Sequence, residues 1–405
     1  MSHRCLLLHP LSYLLALVSR SVTASGASFS DDVWATFHGD SSGHMCGTWQ
    51  SSYTAFHKQE LSKGDDARIM VAVPVRSGLA DRITGLVTIF MWALASKRAF
   101  QIGNVPGLRP LEDAFHSPSI DWTRPLDPDW LLEPFHENAV HFQFNDTVFP
   151  HTFAAVNLIG SRSDDVPDND LLMHHSDARV ILASTNRGRT VRLFEQPTFR
   201  QALKSTGLSA ETAFGCFVNY LLKPISEDFK HLHTQTSLTS NPGVIKIGVQ
   251  IRVGDAFMHK SPALQDFQVF FSCAEQIEQF LSHRGNVLWV LASDSQQLRR
   301  SAVAQYGGKV VTADIIPEHS SKESSVCERD CQVSLDGFRT AAGKWWLLGT
   351  CNFYVISANS GFGRTAAFRS LQRNGIYVID PLVSKKCTDG RFDHYTEVSA
   401  QWAGI

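Results

Sequence analysis

The chain has 405 residues, which at about 150 residues per domain is enough for two domains with full cores. Its 37 lysines and arginines nearly balance 39 aspartates and glutamates, for a formal charge of -2. That balance excludes a nucleic-acid footprint and an acidic solvating tail, so any basic site must be local.

Residues 1–27 read as a signal peptide or a short membrane anchor. Arg4 precedes an apolar run from Cys5 to Val18, which Pro10 interrupts, and the small residues Ala24, Gly26 and Ala27 follow. The run is too short and broken for an ordinary membrane span. It implies the secretory pathway, in the Golgi lumen, the ER or outside the cell, with membrane association through the N-terminus if uncleaved; an apolar cytosolic N-terminus is the alternative. Cys46, Cys216, Cys273, Cys327, Cys331, Cys351 and Cys387 form an odd set, which allows disulfides and leaves at least one thiol unpaired. Cys327 and Cys331 can pair with each other or elsewhere, and no second pair at matching spacing supports a zinc site. Asn145-Asp146-Thr147 is a glycosylation acceptor if the chain is secreted.

Ile69 to Val75 reads as a strand that turns through Arg76 to Arg82 into an apolar helix ending near Ala95. Lys97 and Arg98 then suit the helix's C-terminal dipole, and Ala99 to Ile102 is the next strand. This opening puts Gly78, Asp81 and Arg82 at a helix N-terminus on the sheet's ligand edge. An arginine at a helix start opposes the dipole, so it implies an anionic partner unless it merely caps. Pro106 to Pro134 reads as an irregular connection whose aromatic residues either stack on acceptor sugars or pack. Val140 to Phe144 and Arg179 to Ala183 are further strands, and Glu211 to Leu222 a helix. Asp164, Asp165, Asp168, Asn169 and Asp170 form either a metal-binding or a solvated acidic loop. His174, His175, His231 and His233 have no matching ligand set. Lys223 to Gly243 lacks an apolar period and reads as the connection between a domain of residues 28–235 and one of 236–405.

The second half alternates regularly. Strands Val244 to Ile251, Asn286 to Ala292, Lys309 to Val311, Phe353 to Ile356 and, last, Ile376 to Ile379 are separated by helices Phe267 to Leu281, Ser295 to Gln305, Leu335 to Leu348 and Gly363 to Leu371. That order predicts a parallel, helix-covered sheet. Polar residues follow three strand ends: Arg252 and Asp255, then Ser293 to Ser295, then Ser357 to Thr365. Arg252 offers a planar charged fork to phosphate oxygens, and Asp255 orients it or binds a sugar hydroxyl; a surface ion pair is the plainer alternative. Ser360, Gly361, Phe362, Gly363, Arg364 and Thr365 supply backbone N–H groups and hydroxyls between a strand and a helix, which suits a diphosphate as well as a simple turn. The spacing is neither that of a P-loop nor that of the dinucleotide fingerprint.

Taken together, these blocks resemble the superfamily of α1,2-, α1,6- and protein O-fucosyltransferases, with the plant xyloglucan-type enzymes nearest in wording. Arg76 to Ile102 resembles the family's N-terminal G-L-G-N/D-R block, and Gly248 to Asp255 its H/Q-x-R-x-x-D motif. Val287 to Arg299 resembles its second block, and Tyr354 to Phe368 its S-x-F-G-x-x-A block.

The resemblance implies an α/β chain of GT-B-like architecture, two Rossmann-like domains facing a central cleft. It implies an inverting transfer of fucose to a glycan or glycoprotein acceptor, with GDP-fucose as donor substrate and neither cofactor nor metal. Carried over, Arg252 contacts the β-phosphate and stabilises the departing GDP, Asp294 touches the nucleoside, Ser295 is substrate-binding beside it, and Ser360 to Thr365 contact the diphosphate; Asp255 is a catalytic candidate, either the base for the acceptor or a brace for Arg252. Gly78, Asp81 and Arg82 face the cleft from the other domain. Three positions depart from the pattern: Ala80 stands for Gly, Gln250 for His, and Lys344 for an acidic residue. The last leaves another nucleotide sugar open as donor, and a glycan-binding protein without turnover is the reading outside the enzyme class.

Overall fold

The structure is a computed structural model. It describes residues 45–105, 108–132, 143–157, 175–254, 262–315, 334–358, 360–372, 375–380 and 392–393. The expected leader, the acidic run from Asp164 to Asp170, His174, Asp255, Cys327, Cys331 and Cys387 lie outside these residues.

The first half contains α1 (Trp49–Leu61), β1 (Ile69–Ala72), α2 (Leu79–Ala95), β2 (Ala99–Asn104), β3 (Thr123–Pro125), β4 (Phe153–Asn157), β5 (Val180–Ser184), α3 (Thr190–Glu195), α4 (Pro197–Leu203) and α5 (Ala210–Leu221). Its five strands run parallel in the order β3-β2-β1-β5-β4. After α6 (His233–Thr239), the second half contains β6 (Val244–Ile251), α7 (Gln268–Leu281), β7 (Asn286–Ser293), α8 (Gln296–Tyr306), β8 (Val310–Val311), α9 (Leu335–Leu348), β9 (Phe353–Ser357), α10 (Gly361–Arg369), β10 (Ile376–Ile379) and β11 (Phe392–Asp393). These strands order as β8-β7-β6-β9-β10-β11, parallel except for the last pair. Both sheets are covered by helices, as near-continuous apolar strands require.

Helix α2 explains how the halves join. It is apolar nearly all round and buried along most of its length, which is the pattern of an interior helix rather than a surface one. It packs on β1 and β2 on one side and on α10 on the other. Gly215 lets α5 approach α10 closely, since a Cβ there would lie 2.6 Å from the Phe368 carbonyl oxygen. One apolar cluster therefore runs from Met70 and Phe90 through Phe214 and Phe368 to Trp345, Tyr354 and Ile356. The two sheets share this helical layer.

Cys46 is bonded to Cys216 of α5, Cys273 is disulfide-bonded as well, and Cys351 is a buried free thiol. Among the described residues no helix is long and apolar enough to cross a membrane.

Several expected connections are ordered instead. Thr123–Pro125 adds an edge strand to the first sheet. Trp122 beside it is buried with its indole N–H donated to the Leu221 carbonyl at 3.0 Å, so this aromatic residue packs rather than facing an acceptor. Lys223 to Gly243 contains a 3-10 turn, Ser226–Phe229, and α6, both too short to show a period. Only Gln143–Phe144 of the strand expected at Val140 to Phe144 is described, and it pairs with Leu131–Leu132 outside the main sheets. Ile376–Ile379 is not the last strand, because Phe392–Asp393 pairs antiparallel with it.

Candidate functional site

In the second sheet the chain steps outward from β6 to β7 and β8, then returns to the other side of β6 with β9. The strand order reverses between β6 and β9, and open α/β sheets form a ligand crevice at the carboxyl ends of such a pair. Arg252 is the first residue past β6. Its backbone N–H donates to Ser357 Oγ at 2.8 Å, which fastens the two strand ends on either side of the crevice.

The Arg252 guanidinium meets Asp294 Oδ2 at 3.2 Å, with side chains 32% and 9% exposed respectively. The arginine thus reaches the surface while its carboxylate partner is nearly sealed. Asp294 also accepts the N–H groups of Val253 at 2.7 Å and Gly254 at 3.0 Å. Gly254 has φ 105°, a left-handed conformation that glycine adopts without strain and that folds both N–H groups onto one carboxylate. Asp294, expected at the nucleoside, is here engaged by three donors of the Arg252 turn.

Arg299 holds Asp294 in place from behind. Its guanidinium donates to the carbonyls of Ser293, Ala313 and Ile315, and burial lowers its pKa to about 10. Ser295 is fully buried, and its hydroxyl caps α8 by accepting Leu298 N–H at 3.2 Å. Its expected place at the nucleotide is thus inside the framework.

The turn after β9 divides similarly. Ser360 caps α10 by accepting Gly363 N–H at 3.4 Å. A Cβ on Gly363 would lie 2.5 Å from Gln250 Oε1, so the glycine leaves room for a buried amide that accepts Ser357 N–H at 3.4 Å. Gln250 stands where histidine was expected, and here it joins β6 to β9. Arg364 is buried and donates to the Ala358 carbonyl. Thr365 is buried too, donating to the Gly361 carbonyl at 2.8 Å and accepting Trp345 Nε1 at 2.9 Å. Gly361 and Phe362 alone of this stretch are half-buried, in the first turn of α10 where backbone N–H groups lack intrahelical acceptors.

The first sheet also reverses order, between β1 and β5. Gly78 is the N-cap of α2 there, without a side-chain cap, and open space lies where its Cβ would be. Asp81 is half-buried beside the Ser77 hydroxyl and the exposed Arg187, and burial raises its carboxyl pKa above the ordinary value against both neighbours. Arg82, expected to face the cleft, is only 2% exposed. It donates to the Arg109 carbonyl at 2.6 Å and lies 5.4 Å over the Phe338 ring. Its anionic neighbours are internal: Glu112 and Asp113 oppose the lowering of its pKa by burial, which reaches about 10.

These contacts bring the two ligand edges together. Helix α9 runs back against the strands it precedes, so it starts at the carboxyl edge of the second sheet, and Phe338 is in its first turn. Arg82 is in the first turn of α2, at the carboxyl edge of the first. Arg339 Nε adds a bond to the Asp113 carbonyl at 2.7 Å.

Lys344 of α9 is half-buried near the β7 end of the crevice. Burial pulls its pKa down to about 7, with Arg299 acting the same way and Asp314 opposing. Among the described residues no group of three or more His, Cys, Asp or Glu side chains could hold a metal ion. Sequence reasoning missed Arg187 and the role of Gln250. A strand–loop–helix position after β5 was the only available signal for the first, and the second depends on a glycine more than 100 residues away.

Neither a known protein-family profile nor a curated protein sequence matches the chain. Solved structures do. A point mutant of Arabidopsis thaliana FUT1 in complex with GDP superposes with TM-score 0.54 and 18% identity, over 87% of this chain and 79% of that one. The fold is of the fucosyltransferase type. Fucosyltransferase NodZ from Bradyrhizobium matches at TM-score 0.42 and 17% identity, over 77% and 94% of the two chains. POFUT1 in complex with GDP-fucose matches at 0.35 and 11%, over 76% and 94%. Within this fucosyltransferase-type fold, the residues expected at ligand form two sets. Arg252, Gly361, Phe362, Gly78 and Asp81 reach the crevice edges, while Asp294, Ser295, Ser360, Gly363, Arg364, Thr365 and Arg82 are built into the framework behind them.

Proposed function

We propose that the chain is an inverting glycosyltransferase that moves fucose from GDP-fucose to a glycan or glycoprotein acceptor, with Arg252 neutralising the leaving diphosphate. The observation that carries this reading is the Arg252 turn, an arginine braced by Asp294 and fastened to Ser357 at the reversal of strand order. The FUT1 structure of similar fold was solved with GDP, which supports a guanine nucleotide in this crevice. As GDP departs, negative charge grows on phosphate while the sugar gains oxocarbenium character. A fixed cation therefore favours the transition state over the ground state. Arg252 is held in position before any ligand arrives, so little reorganisation is needed at that moment. The half-buried N–H groups of Gly361 and Phe362 give the diphosphate a second set of donors.

GDP-fucose enters as a substrate, and the mechanism assigns no role to a cofactor. The Cys46 to Cys216 bond suits an oxidising compartment, in keeping with a place in the Golgi or ER lumen and with glycosylation at Asn145. The division into domains of residues 28–235 and 236–405 belongs to the same proposal. Lys344 favours a second reading, a glycosyltransferase for another nucleotide sugar. A protonated amine only donates hydrogen bonds, whereas an ionised carboxylate at that position only accepts them. Thermal-shift titration against GDP, UDP and ADP, followed by a nucleotide-release assay with GDP-fucose and mixed glycan acceptors, tests both. Selective stabilisation by GDP with acceptor-dependent GDP release is expected. Stabilisation by UDP or ADP instead would replace the donor, and no response to any nucleotide would end the enzyme reading.

A further inference from the structure

The transfer proposed above needs a group that takes the acceptor's proton, and the expected candidate, Asp255, lies outside the described residues. The first sheet offers another carboxylate. Asp81 occupies the first turn of α2, past the end of β1, and Arg187 lies on the loop past β5, across the reversal of strand order.

Three observations distinguish Asp81. Its carboxylate is half-buried at the edge of the sheet. The Ser77 hydroxyl comes near enough to lower its pKa, as does Arg187, and burial outweighs both. Two polar atoms at this edge also lack partners among the described residues: the buried Ser77 Oγ, and Asn186 Oδ1 on the loop that carries Arg187. Finally, no described residue lies within 4 Å of the position a Cβ would take on Gly78, three residues before Asp81. The approach to this turn is open.

Buried polar groups are nearly always hydrogen-bonded, and those that are not call for an explanation. A hydroxyl and an amide carbonyl left unsatisfied beside a carboxylate at a sheet's ligand edge have the valences that a sugar's hydroxyls fill. The contrast with Asp294, which three protein donors occupy, marks Asp81 as the carboxylate with capacity to spare. A carboxylate titrating above its ordinary value is also the stronger base.

We infer that Asp81 is a catalytic residue that binds the reacting hydroxyl of a carbohydrate acceptor and removes its proton, with Ser77 and Asn186 holding neighbouring hydroxyls. The acceptor oxygen forms a bond to the donor sugar's anomeric carbon and its proton passes to the Asp81 carboxylate. The bond from that carbon to the phosphate oxygen breaks, and its electron pair leaves with the diphosphate on the Arg252 side. This assignment rests on the glycosyltransferase reading.

The test uses the full chain and its Asp81→Asn and Asp81→Ala variants, with GDP affinity by calorimetry, thermal melting, and acceptor-dependent GDP release from GDP-fucose. Both variants are expected to keep wild-type melting and GDP affinity while the transfer rate falls on the order of 100-fold or more. Added formate is expected to restore part of the rate in Asp81→Ala, which a purely structural loss does not allow. Transfer by Asp81→Asn within about threefold of wild type overturns the assignment and leaves the transferase reading standing. So does loss of melting temperature or GDP affinity in parallel with rate, which makes Asp81 structural. A wild-type chain that neither binds GDP nor releases it removes the transferase reading and this inference with it.

Discussion

At the carboxyl edge of the second sheet, Asp294 accepts two backbone N–H groups and a guanidinium, Ser357 receives the next N–H, and Arg299 clamps the loop from behind. At the corresponding edge of the first sheet, Ser77 Oγ and Asn186 Oδ1 are buried without hydrogen-bond partners among the described residues, Asp81 has only the Ser77 hydroxyl and Arg187 to offset its burial, and α2 begins without a side-chain cap. Both edges arise from the same βα geometry, so the difference comes from the side chains each loop carries. A doubly charged diphosphate is best held by a cation fixed in advance, because reorganisation would consume binding energy. A neutral sugar is recognised by hydrogen bonds that the protein must leave open until it arrives. The braced edge suits the donor and the open edge the acceptor.

The largest expected effect comes from undoing the brace. Asp294→Ala leaves the Arg252 guanidinium and two N–H groups without their acceptor in a largely buried turn. A loss of about 3 kcal/mol in stability is expected from urea unfolding, with weaker GDP binding; unchanged unfolding would mean that the turn holds itself. Next is Gly85→Ala, which probes the open edge. A Cβ there would lie 1.8 Å from the Thr185 carbonyl oxygen, and backbone must move, at a cost of about 1–3 kcal/mol. That movement displaces Asn186 and Arg187, so acceptor-dependent turnover is expected to fall more than GDP affinity, and calorimetry beside a release assay reads the split.

A smaller effect distinguishes a third carboxyl from both edges. Asp228, in the 3-10 turn joining the halves, is 1% exposed. Gly343 of α9 lets this turn dock closely, since a Cβ there would lie 2.4 Å from the Asp228 carbonyl oxygen. Burial raises the carboxyl pKa to about 8, against the Ile225 backbone N–H and Arg339 and with Glu227. The unfolded carboxyl loses its proton near pH 4, whereas the folded one keeps it up to about 8. Folding therefore takes up a proton in that window, and this group's contribution to stability falls as pH rises through it. Asp228→Asn is expected to be about 1–2 kcal/mol more stable than wild type at pH 9 and close to it at pH 5. Parallel melting curves across that range would contradict the assignment.

Much of the second sheet was legible because its strands are long and β-branched. Val244–Ile251, Leu335–Leu348 and Ile376–Ile379 begin and end where the pattern places them. The first sheet was legible at β1, β2 and β5, whereas Thr123–Pro125 and Phe153–Asn157 are strands chiefly because a neighbour's edge is there to pair with. The site divides along the same line. Position after a strand was enough to single out Arg252, Asp294 and Ser360. It could not separate groups that reach the crevice from groups behind it, because that depends on distant partners. Arg82 is buried by Phe338 and by the turn carrying Glu112 and Asp113, and Thr365 by Trp345.

The measurement that bears most directly on the account is calorimetric titration of GDP into the purified chain and into Arg252→Ala, with melting temperatures alongside. The account predicts that the wild type binds GDP, and that the variant melts alike but loses on the order of 3 kcal/mol of transition-state stabilisation, about a hundredfold in transfer rate, together with at least part of its GDP affinity. Equal GDP affinity and equal turnover in the two proteins would contradict it.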